Sequence, residues 1–379
     1  MSFFLTILLI YSFAHLYIFL KIKAAFTVGH ATALIILVFL AFMVMAPFLV
    51  RLSERHGFDF LARPLAYIGY TWMGLAFLFF SFSLVIDCYR ILVYAVNLVT
   101  HRYFAYLIAS SRSVFFIPLV ITAAIGIYGS FEAQFIRNET VTIKSPKIPR
   151  EIGTLTVAQI SDVHLGLIVR DKRLKEIISK IQSANPDIIV STGDLVDGQI
   201  NNLTGLAERL QALNPPYGKF AVTGNHEFYA GLDQSLRFTE RAGFKVLRGE
   251  AITVGGIITI AGVDDPAGKR FGLVTEMPEQ NLLKKLSRNT FILLLKHRPA
   301  VDRSTPGLFD LQVSGHTHNG QIFPFSLVIR LFHQYNAGLT HLDHGSLLYV
   351  SRGSGTWGPP IRFLSPPEVT IIKLVHDNM

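Results

Sequence analysis

The sequence predicts an α/β protein of two parts, a helical transmembrane unit followed by a layered domain of mixed β-sheets with helices outside. Long apolar segments fill residues 1–130, whereas short β-branched runs alternate with turns from residue 153 onward. A mean hydropathy of +0.41 with 16% charged residues is too apolar for one ordinary soluble domain. A length of 379 residues leaves room for two units.

Four apolar segments predict four membrane crossings. Each has at least roughly the length that a bilayer requires. They cover Ser2–Leu20, Phe26–Val50, the stretch from Pro64 to Val99, and Ser113–Gly129. The alternative for the first segment is a cleaved signal peptide, but no Lys or Arg precedes it and no small-residue cleavage site follows. Asp87 and Arg90 interrupt the third segment. We interpret them as an ion pair near an interface, with a polar site between helices as the alternative.

The charge distribution favours a membrane surface as partner and argues against nucleic acid. Residues 1–150 hold twelve Lys and Arg against five Asp and Glu, whereas residues 151–379 hold 23 against 21 and show no aromatic–basic interleaving. Four crossings place both termini on one side, where seven flanking basic residues face four on the other. The positive-inside rule then favours a C-terminal domain on the cytoplasmic side. We expect the helices to lie in the cell (inner) membrane. The only cysteine, Cys88, excludes an intramolecular disulfide.

Three stretches divide the chain. Residues 1–130 are the transmembrane unit, residues 131–151 a basic linker, and residues 152–379 the α/β domain. Pro146 and Pro149 stand among Lys144, Lys147 and Arg150, which is typical of an extended strap at the headgroup surface.

The α/β domain begins with a strand–helix–strand unit. Helical spacing predicts a helix over Arg170–Ser183, between the first two strands. A hairpin over Ile252–Val263 turns at Gly255 and Gly256. The remaining predicted strands are Leu155–Ile160, Asp187–Val190, Phe220–Val222, Phe291–Leu295, Leu311–Val313, Leu347–Ser351 and Val369–Leu374.

Polar clusters follow five of these strands and supply seven candidate metal ligands. Strand ends lead into loops, so these positions can converge at one edge of a packed core. The candidates are Asp162, His164, Asp194, Asn225, His297, His316 and His318. Oxygen and nitrogen donors without a thiolate suit Mn, Fe, Zn or Mg. The alternative is a scatter of unrelated Asp caps and buried histidines, which an ordered set of seven disfavours.

Two of these clusters predict two-metal chemistry. Asp194 is the candidate bridging carboxylate, because a shared Asp offsets the repulsion between two cations. Asn225 offers a neutral amide oxygen that leaves the site positive for a phosphate. The adjacent His226 can protonate or stabilise a leaving oxygen, so it is the candidate catalytic residue.

The ordered pattern Asp-x-His, Gly-Asp-x-x-Asp, Gly-Asn-His-Glu, a lone His and Gly-His-x-His resembles the calcineurin-like metallophosphoesterase superfamily over about residues 153–375. The resemblance implies a four-layer β-sandwich flanked by helices and two divalent metal ions, with Mn first among the candidates. It assigns one metal to Asp162, His164, Asp194 and His318, and the other to Asp194, Asn225, His297 and His316. It also implies in-line attack of an activated water on phosphorus, assisted by His226.

Four further segments are similar to a membrane-associated branch that includes UDP-2,3-diacylglucosamine pyrophosphohydrolases. They are Gly262–Pro266, His297–Pro299, Gly315–Gln321 and Gly353–Arg362. Asn319 departs from the second glycine common in that branch, which bears on substrate shape more than on metal binding. The resemblance implies membrane lipids as partners and a lipid-linked phosphoester substrate. The alternatives are a tethered phosphodiesterase for soluble substrates and a non-catalytic membrane sensor.

Several nearby residues have two interpretations each. Asp197 caps a turn or touches the site, and Glu227 orients a ligand histidine or forms a surface salt bridge. Asp264 and Asp265 form a turn before proline. Arg298 and Arg362 contact phosphate or pair at the surface. His333, His341 and His344 are predicted at the surface. Phe323–Phe332 faces a membrane or belongs to the core.

Overall fold

The computed structural model describes residues 2–198, 203, 205–273 and 277–377. It divides into two compact units, one extending to Phe131 and including Gly358–Ile361, the other formed by the rest of the chain.

The first unit is helical. Its helices are α1 (Ser2–Ala25), α2 (His30–Arg55), α3 (Asp59–Thr100) and α4 (Ser111–Glu132), with a 3₁₀ turn at Ala105–Leu107. All four helices are long and apolar enough to cross a membrane. Helix α3 has 42 residues and is about 63 Å long, roughly twice the thickness of a hydrocarbon core. It begins five residues before Pro64, where the predicted segment starts. Four crossings remain a prediction.

Asp87 belongs to a polar cluster that joins two helices. Arg90 Nη1 lies 3.8 Å from Asp87 Oδ1, as the sequence interpretation expects. Two residues of α1 come closer, because Lys21 Nζ and Tyr17 Oη each donate to the Asp87 carboxylate at 2.5 Å. The interhelical alternative therefore describes this cluster better than an isolated pair. Spacing along α3 cannot show which residues α1 brings to it.

The second unit contains two six-stranded mixed sheets among the described residues. The first has the order β1-β12-β2-β3-β4-β5 and the second β10-β11-β9-β8-β7-β6. The first-sheet strands are β1 (Arg137–Ser145), β2 (Thr154–Ile160), β3 (Ile188–Ser191), β4 (Lys219–Ala221), β5 (Lys245–Val246) and β12 (Glu368–His376). The second-sheet strands are β6 (Glu250–Val254), β7 (Ile258–Gly262), β8 (Phe291–Leu295), β9 (Leu311–Ser314), β10 (Gly338–His341) and β11 (Leu347–Val350).

The second unit also contains helices. They are α5 (Asp171–Ser183), α6 (Leu206–Gln211), α7 (Asn225–Ala230), α8 (Leu232–Arg241), α9 (Glu279–Lys284) and α10 (Phe325–Phe332), with 3₁₀ turns at Pro266–Phe271, His318–Gly320 and Asp343–Gly345. Apolar side chains of the two sheets, such as Val190 and Leu293, form one buried cluster. Alternate residues of β2 and β3, including Ile189, pack instead against Leu174 and Ile177 of α5. The predicted α/β class with mixed sheets is confirmed.

The stretch assigned to the linker contains a strand of the first sheet. Arg137–Ser145 pairs in parallel with β12 over the full length of both strands. Lys147 Nζ donates to Asp310 at 2.8 Å, and Arg150 Nε donates to His376 Nε2 at 3.0 Å. The prediction of a strap along residues 131–151 is wrong for this part. Its pairing partner lies more than 200 residues away, where local composition cannot reveal it.

Candidate metal centre

All seven candidate ligands lie where strands end. Asp162 and His164 follow β2, Asp194 follows β3, and Asn225 begins α7 after β4. His297 follows β8 of the other sheet, and His316 and His318 follow β9. Strands β2, β3 and β4 are parallel neighbours, as are β8 and β9, so their carboxyl ends lie together. The topology brings the two groups of loops to one place, as the spacing of the clusters predicts.

The first group of donor atoms comes from Asp162, His164 and His318. His164 Nε2 and His318 Nε2 lie 3.2 Å apart, and His318 Nε2 lies 3.5 Å from Asp162 Oδ1. His164 Nε2 also lies 3.8 Å from Asp194 Oδ2. All four side chains are buried.

The second group centres on His297 Nε2. This atom lies 3.3 Å from Asp194 Oδ2, 3.2 Å from Asn225 Oδ1 and 3.1 Å from His316 Nδ1. Asp194 Oδ2 therefore reaches both groups. A carboxylate in that position has the geometry that a bridging ligand requires.

The donor set fits two divalent cations. Ligands about 2.0–2.2 Å from one ion lie roughly 3–3.5 Å from one another, which is close to the nitrogen and oxygen separations of 3.1 to 3.8 Å in the two groups. His297 Nδ1–H donates to the Thr192 carbonyl at 2.8 Å, which leaves Nε2 as the nitrogen that faces the site. Burial, aided by the Arg362 charge, lowers the pKa of His318 well below its usual range. That imidazole is therefore neutral, as a metal ligand must be.

The backbone at the site is strained. Five of the seven candidates have left-handed φ values, which cost an L-residue about 1–2 kcal/mol each; these values are 51° at Asp162, 54° at His164, 52° at Asp194, 72° at His316 and 49° at His318. Asn319 shares this conformation with φ of 50°, and an asparagine tolerates it much as the expected glycine does. Such clustering of strain is typical of a functional site.

Glycines allow the strands to bring the carboxylates this close. A Cβ at Gly224 would collide with Asp194 Oδ1, and a Cβ at Gly315 would collide with Asp162 Oδ2. The glycine before Asp194 also permits a tight approach, as predicted, because a Cβ at Gly193 would collide with the Gly224 backbone.

Glu227 holds the Asp194 loop. Its buried carboxylate accepts hydrogen bonds from the N–H groups of Gly224 at 2.7 Å, Asp194 at 2.9 Å and Leu195 at 2.8 Å. Neither interpretation from the sequence, a ligand histidine or a surface salt bridge, describes this role. The Gly-Asn-His-Glu pattern marks the residue but not its partners.

Asp197 contacts two histidines of the site. Its Oδ1 lies 2.9 Å from His226 Nδ1 and 3.5 Å from His164 Nδ1. Burial disfavours the charged form of His226, but Asp194 and Asp197 outweigh this and raise the pKa of His226 to about 9. Asp197 therefore touches the site, which is one of the two interpretations that the sequence left open. Its contact with His226 has the geometry of an acid supported by a carboxylate.

Both arginines suspected of binding phosphate are engaged by the protein itself. Arg362 is fully buried, and its guanidinium donates to the carbonyls of Gly355, Arg352 and Ser365. Arg298 pairs with the buried Asp265 at 2.7 Å. Both alternatives from the sequence are therefore wrong for Arg362, which is neither a phosphate ligand nor a surface residue.

The two acidic residues before Pro266 form a turn and also make side-chain contacts. Asp265 Oδ1 accepts from Ala267 N at 2.8 Å and caps the 3₁₀ turn, as predicted. Asp264 in addition pairs with Arg248 at 2.9 Å.

His333 lies beside the site. Its ring centroid is 5.5 Å from that of His316, whereas His341 and His344 are exposed as predicted. The surface prediction is therefore wrong for His333, which the chain after α10 returns to the metal ligands.

Comparison with known proteins gives one family. The family model for the calcineurin-like phosphoesterase matches residues 155–320. An uncharacterized metallophosphoesterase from Aquifex aeolicus is 43% identical over 258 residues, which cover 68% of this chain and 98% of that protein. A protein from Danio rerio described as a transmembrane protein with metallophosphoesterase domain is 31% identical over 271 residues, 68% of this chain and 62% of that one.

Solved structures resemble the chain more distantly. A dimetal phosphatase from Danio rerio aligns with a TM-score of 0.38 and 14% identity, over 54% of this chain and 89% of that chain. A likeness of this size adds no argument about the site.

Proposed function

Because the chain belongs to the calcineurin-like phosphoesterase family, we propose that it is a membrane-anchored two-metal hydrolase acting on a lipid-linked phosphoester or diphosphate. Membership of this family makes it a metal-dependent phosphoester hydrolase. The observation that carries the two-metal part is the position of Asp194 Oδ2, which reaches both groups of donor atoms. We also infer that the two sheets and their covering helices are the four-layer sandwich of the family.

The proposed ligand sets follow the two groups. Asp162, His164 and His318 would hold one ion, and Asn225, His297 and His316 the other, with Asp194 shared between them. Oxygen and imidazole donors suit Mn first, with Fe, Zn and Mg as alternatives. When bound, the ions supply an activated water and neutralise charge on the phosphoryl oxygens.

His226 is the proposed catalytic acid. Asp197 engages its Nδ1 at 2.9 Å, so Nε2 is the nitrogen left to give a proton to the leaving oxygen. The carboxylates that favour its charged form keep that proton available at neutral pH.

The lipid substrate is supported by the first unit. Four helices long and apolar enough to cross a membrane would tether the site to a bilayer and raise the local concentration of lipid headgroups. We propose UDP-2,3-diacylglucosamine as the first compound to test, since four segments of the chain resemble enzymes that act on it.

One assay tests the hydrolase. The full chain in detergent with Mn²⁺ is expected to hydrolyse an aryl phosphodiester, and Asp194→Asn is expected to lower the rate by about a hundredfold or more. Asp233→Asn, on the exposed face of α8, is the matched control. Activity that survives Asp194→Asn, or is absent with Mn, Fe, Zn and Mg alike, would overturn the two-metal proposal.

A second assay tests the substrate class. Mixed micelles containing UDP-2,3-diacylglucosamine are compared with soluble phosphodiesters at equal concentrations. A higher kcat/KM for the lipid supports the proposal. A preference for soluble substrates would identify a tethered phosphodiesterase instead.

We further propose that the catalytic domain faces the cytoplasm. The test is a cysteine at Lys175, exposed on α5, in a Cys88→Ser background. It should resist a membrane-impermeant maleimide in intact cells and react after lysis. Labelling in intact cells would instead place the catalytic domain on the outer side of the membrane.

A further inference from the structure

Several exposed apolar side chains of the second unit lie close to side chains of the metal centre. Scattered exposed apolar residues are normal on a protein surface, but a concentration of them marks an interaction site. From residue 137 onward, the large apolar side chains that the described residues expose are Tyr229, Phe271, Leu273, Phe325, Leu327, Val328, Leu331, Phe332, Leu339, Trp357 and Leu364. We call this set without Leu339 the apolar rim.

One side of the apolar rim touches the proposed catalytic acid. The Tyr229 ring centroid lies 5.5 Å from that of His226, and the Trp357 ring lies 5.9 Å from it. Phe271 extends this side, 6.3 Å from Tyr229. Gln321 holds the Trp357 backbone through two hydrogen bonds, at 2.9 and 3.0 Å. The aromatic groups are therefore fixed beside the place where the leaving group departs.

The other side is helix α10. Six of its eight residues are apolar or aromatic side chains, and the helix buries none of its residues. Leu331 and Phe332 at its end are 81% and 78% exposed. The next residue, His333, packs against the metal-ligand candidate His316. The most exposed apolar groups of the domain are thus only one or two residues from a side chain that contacts the metal centre.

Basic residues accompany the apolar ones. Arg330 is exposed on α10, and Lys269 and Arg270 are exposed immediately before Phe271. Neither Phe325–Phe332 nor Pro266–Phe271 contains an acidic residue. Apolar groups interleaved with Arg and Lys are typical of a surface that lies in the headgroup region of an anionic bilayer. A second copy of the chain would instead bring the same positive charges face to face.

We propose that the apolar rim docks on the anionic bilayer interface and brings the metal centre to the phosphate of a lipid in that bilayer. This inference rests on the proposed membrane-anchored function, since the tether provides the bilayer. Because the rim would lie at the boundary between headgroups and acyl chains, the acyl chains of the lipid could stay in the bilayer. Only the headgroup would need to enter the site.

Fluorescence quenching tests the docking directly. The full chain, with Cys88→Ser and Phe332→Cys carrying an environment-sensitive dye, is placed in phosphatidylcholine vesicles with about a third phosphatidylglycerol. Lipids brominated near the headgroup are expected to quench this dye roughly twofold or more. A dye at Lys175→Cys, exposed on α5, is the control and should be unaffected.

Charge reversal provides the second arm. Arg330→Glu should lower the quenching at position 332 by about half in anionic vesicles, whereas Lys172→Glu on α5 should leave it unchanged. Equal quenching at positions 332 and 175 would overturn the proposal. Shielding of position 332 from iodide without quenching by brominated lipid would overturn it too, in favour of a protein partner. Neither measurement needs metal or substrate, so the result is independent of whether the chain hydrolyses a phosphoester.

Discussion

Glu227 Oε2 accepts a hydrogen bond from the backbone N–H of Asp194 at 2.9 Å, and this contact positions the carboxylate shared by both donor groups. The same oxygen accepts from Gly224 at 2.7 Å, so one buried side chain joins the β3 and β4 loops. A charged carboxylate is the only natural side chain of this length that accepts on both oxygens. The bridging ligand is thus held by a residue that need not touch a metal.

Glu227→Gln is expected to lower both stability and activity. The amide replaces one acceptor by a donor that faces backbone N–H groups, which should destabilise the metal-free chain by about 1–3 kcal/mol. Because the Asp194 loop then shifts, Mn²⁺ affinity should also fall. Thermal unfolding and metal titration measure the two effects. Glu240→Gln, exposed on α8, is the control. A Glu227→Gln protein with the same melting temperature and Mn²⁺ affinity as the control would contradict the role of Glu227 in holding the Asp194 loop.

Asp197→Asn is expected to change the pH profile of hydrolysis. A raised pKa keeps His226 protonated below that pKa, so activity that needs the acid is lost as the pH rises through it. Removing the Asp197 charge lowers this pKa, and the alkaline limb of kcat should move down by about one pH unit. The profile is measured with an aryl phosphodiester. Asp233→Asn should keep the original alkaline limb. If the alkaline limb of Asp197→Asn does not move, Asp197 does not set the pKa of the catalytic acid.

Metal binding is expected to release protons. Burial opposes the charge on His297, but Asp194 and Asp162 overcome this and raise its pKa to about 10, so it is protonated at pH 7 without metal. A cation must displace that proton. We expect each chain to release about one proton or more when it binds metal. For each proton released, the metal affinity should fall roughly tenfold when the pH is lowered by one unit.

Calorimetry in buffers of different ionisation enthalpy measures this release as Mn²⁺ is titrated into the metal-free chain. His297→Gln should reduce the number of protons, and the exposed His341→Gln should not. A heat of binding that does not depend on the buffer would contradict the assignment.

Arg362→Lys is expected to destabilise the second unit although the charge is kept. The guanidinium is fully buried and donates to three carbonyls in a planar arrangement that an ammonium cannot reproduce. The loss should be about 2–4 kcal/mol. Thermal unfolding of the metal-free chain measures it, and the exposed Arg303→Lys serves as control. A melting temperature equal to that of the control would show that the bonds are dispensable.

The sequence by itself determined the fold class and the set of candidate ligands. Hydropathy over some twenty residues reports on a membrane segment, and Asp-x-His after a β-branched run reports on a strand end, because both signals are local. For that reason α4 and strands such as β8 agree closely with their predicted positions, and all seven candidates converge.

Only the tertiary structure decided which residues meet. Four contacts join residues that are far apart in the chain or on different loops. They are the pairing of β1 with β12, the hydrogen bond from Asp194 N–H to Glu227, the contact of Asp197 with His226 and the packing of His333 against His316. Periodicity reports which face a side chain occupies, but its partner depends on how the sheets order their strands. That order is set by closing loops over many residues and burying both sheets at once.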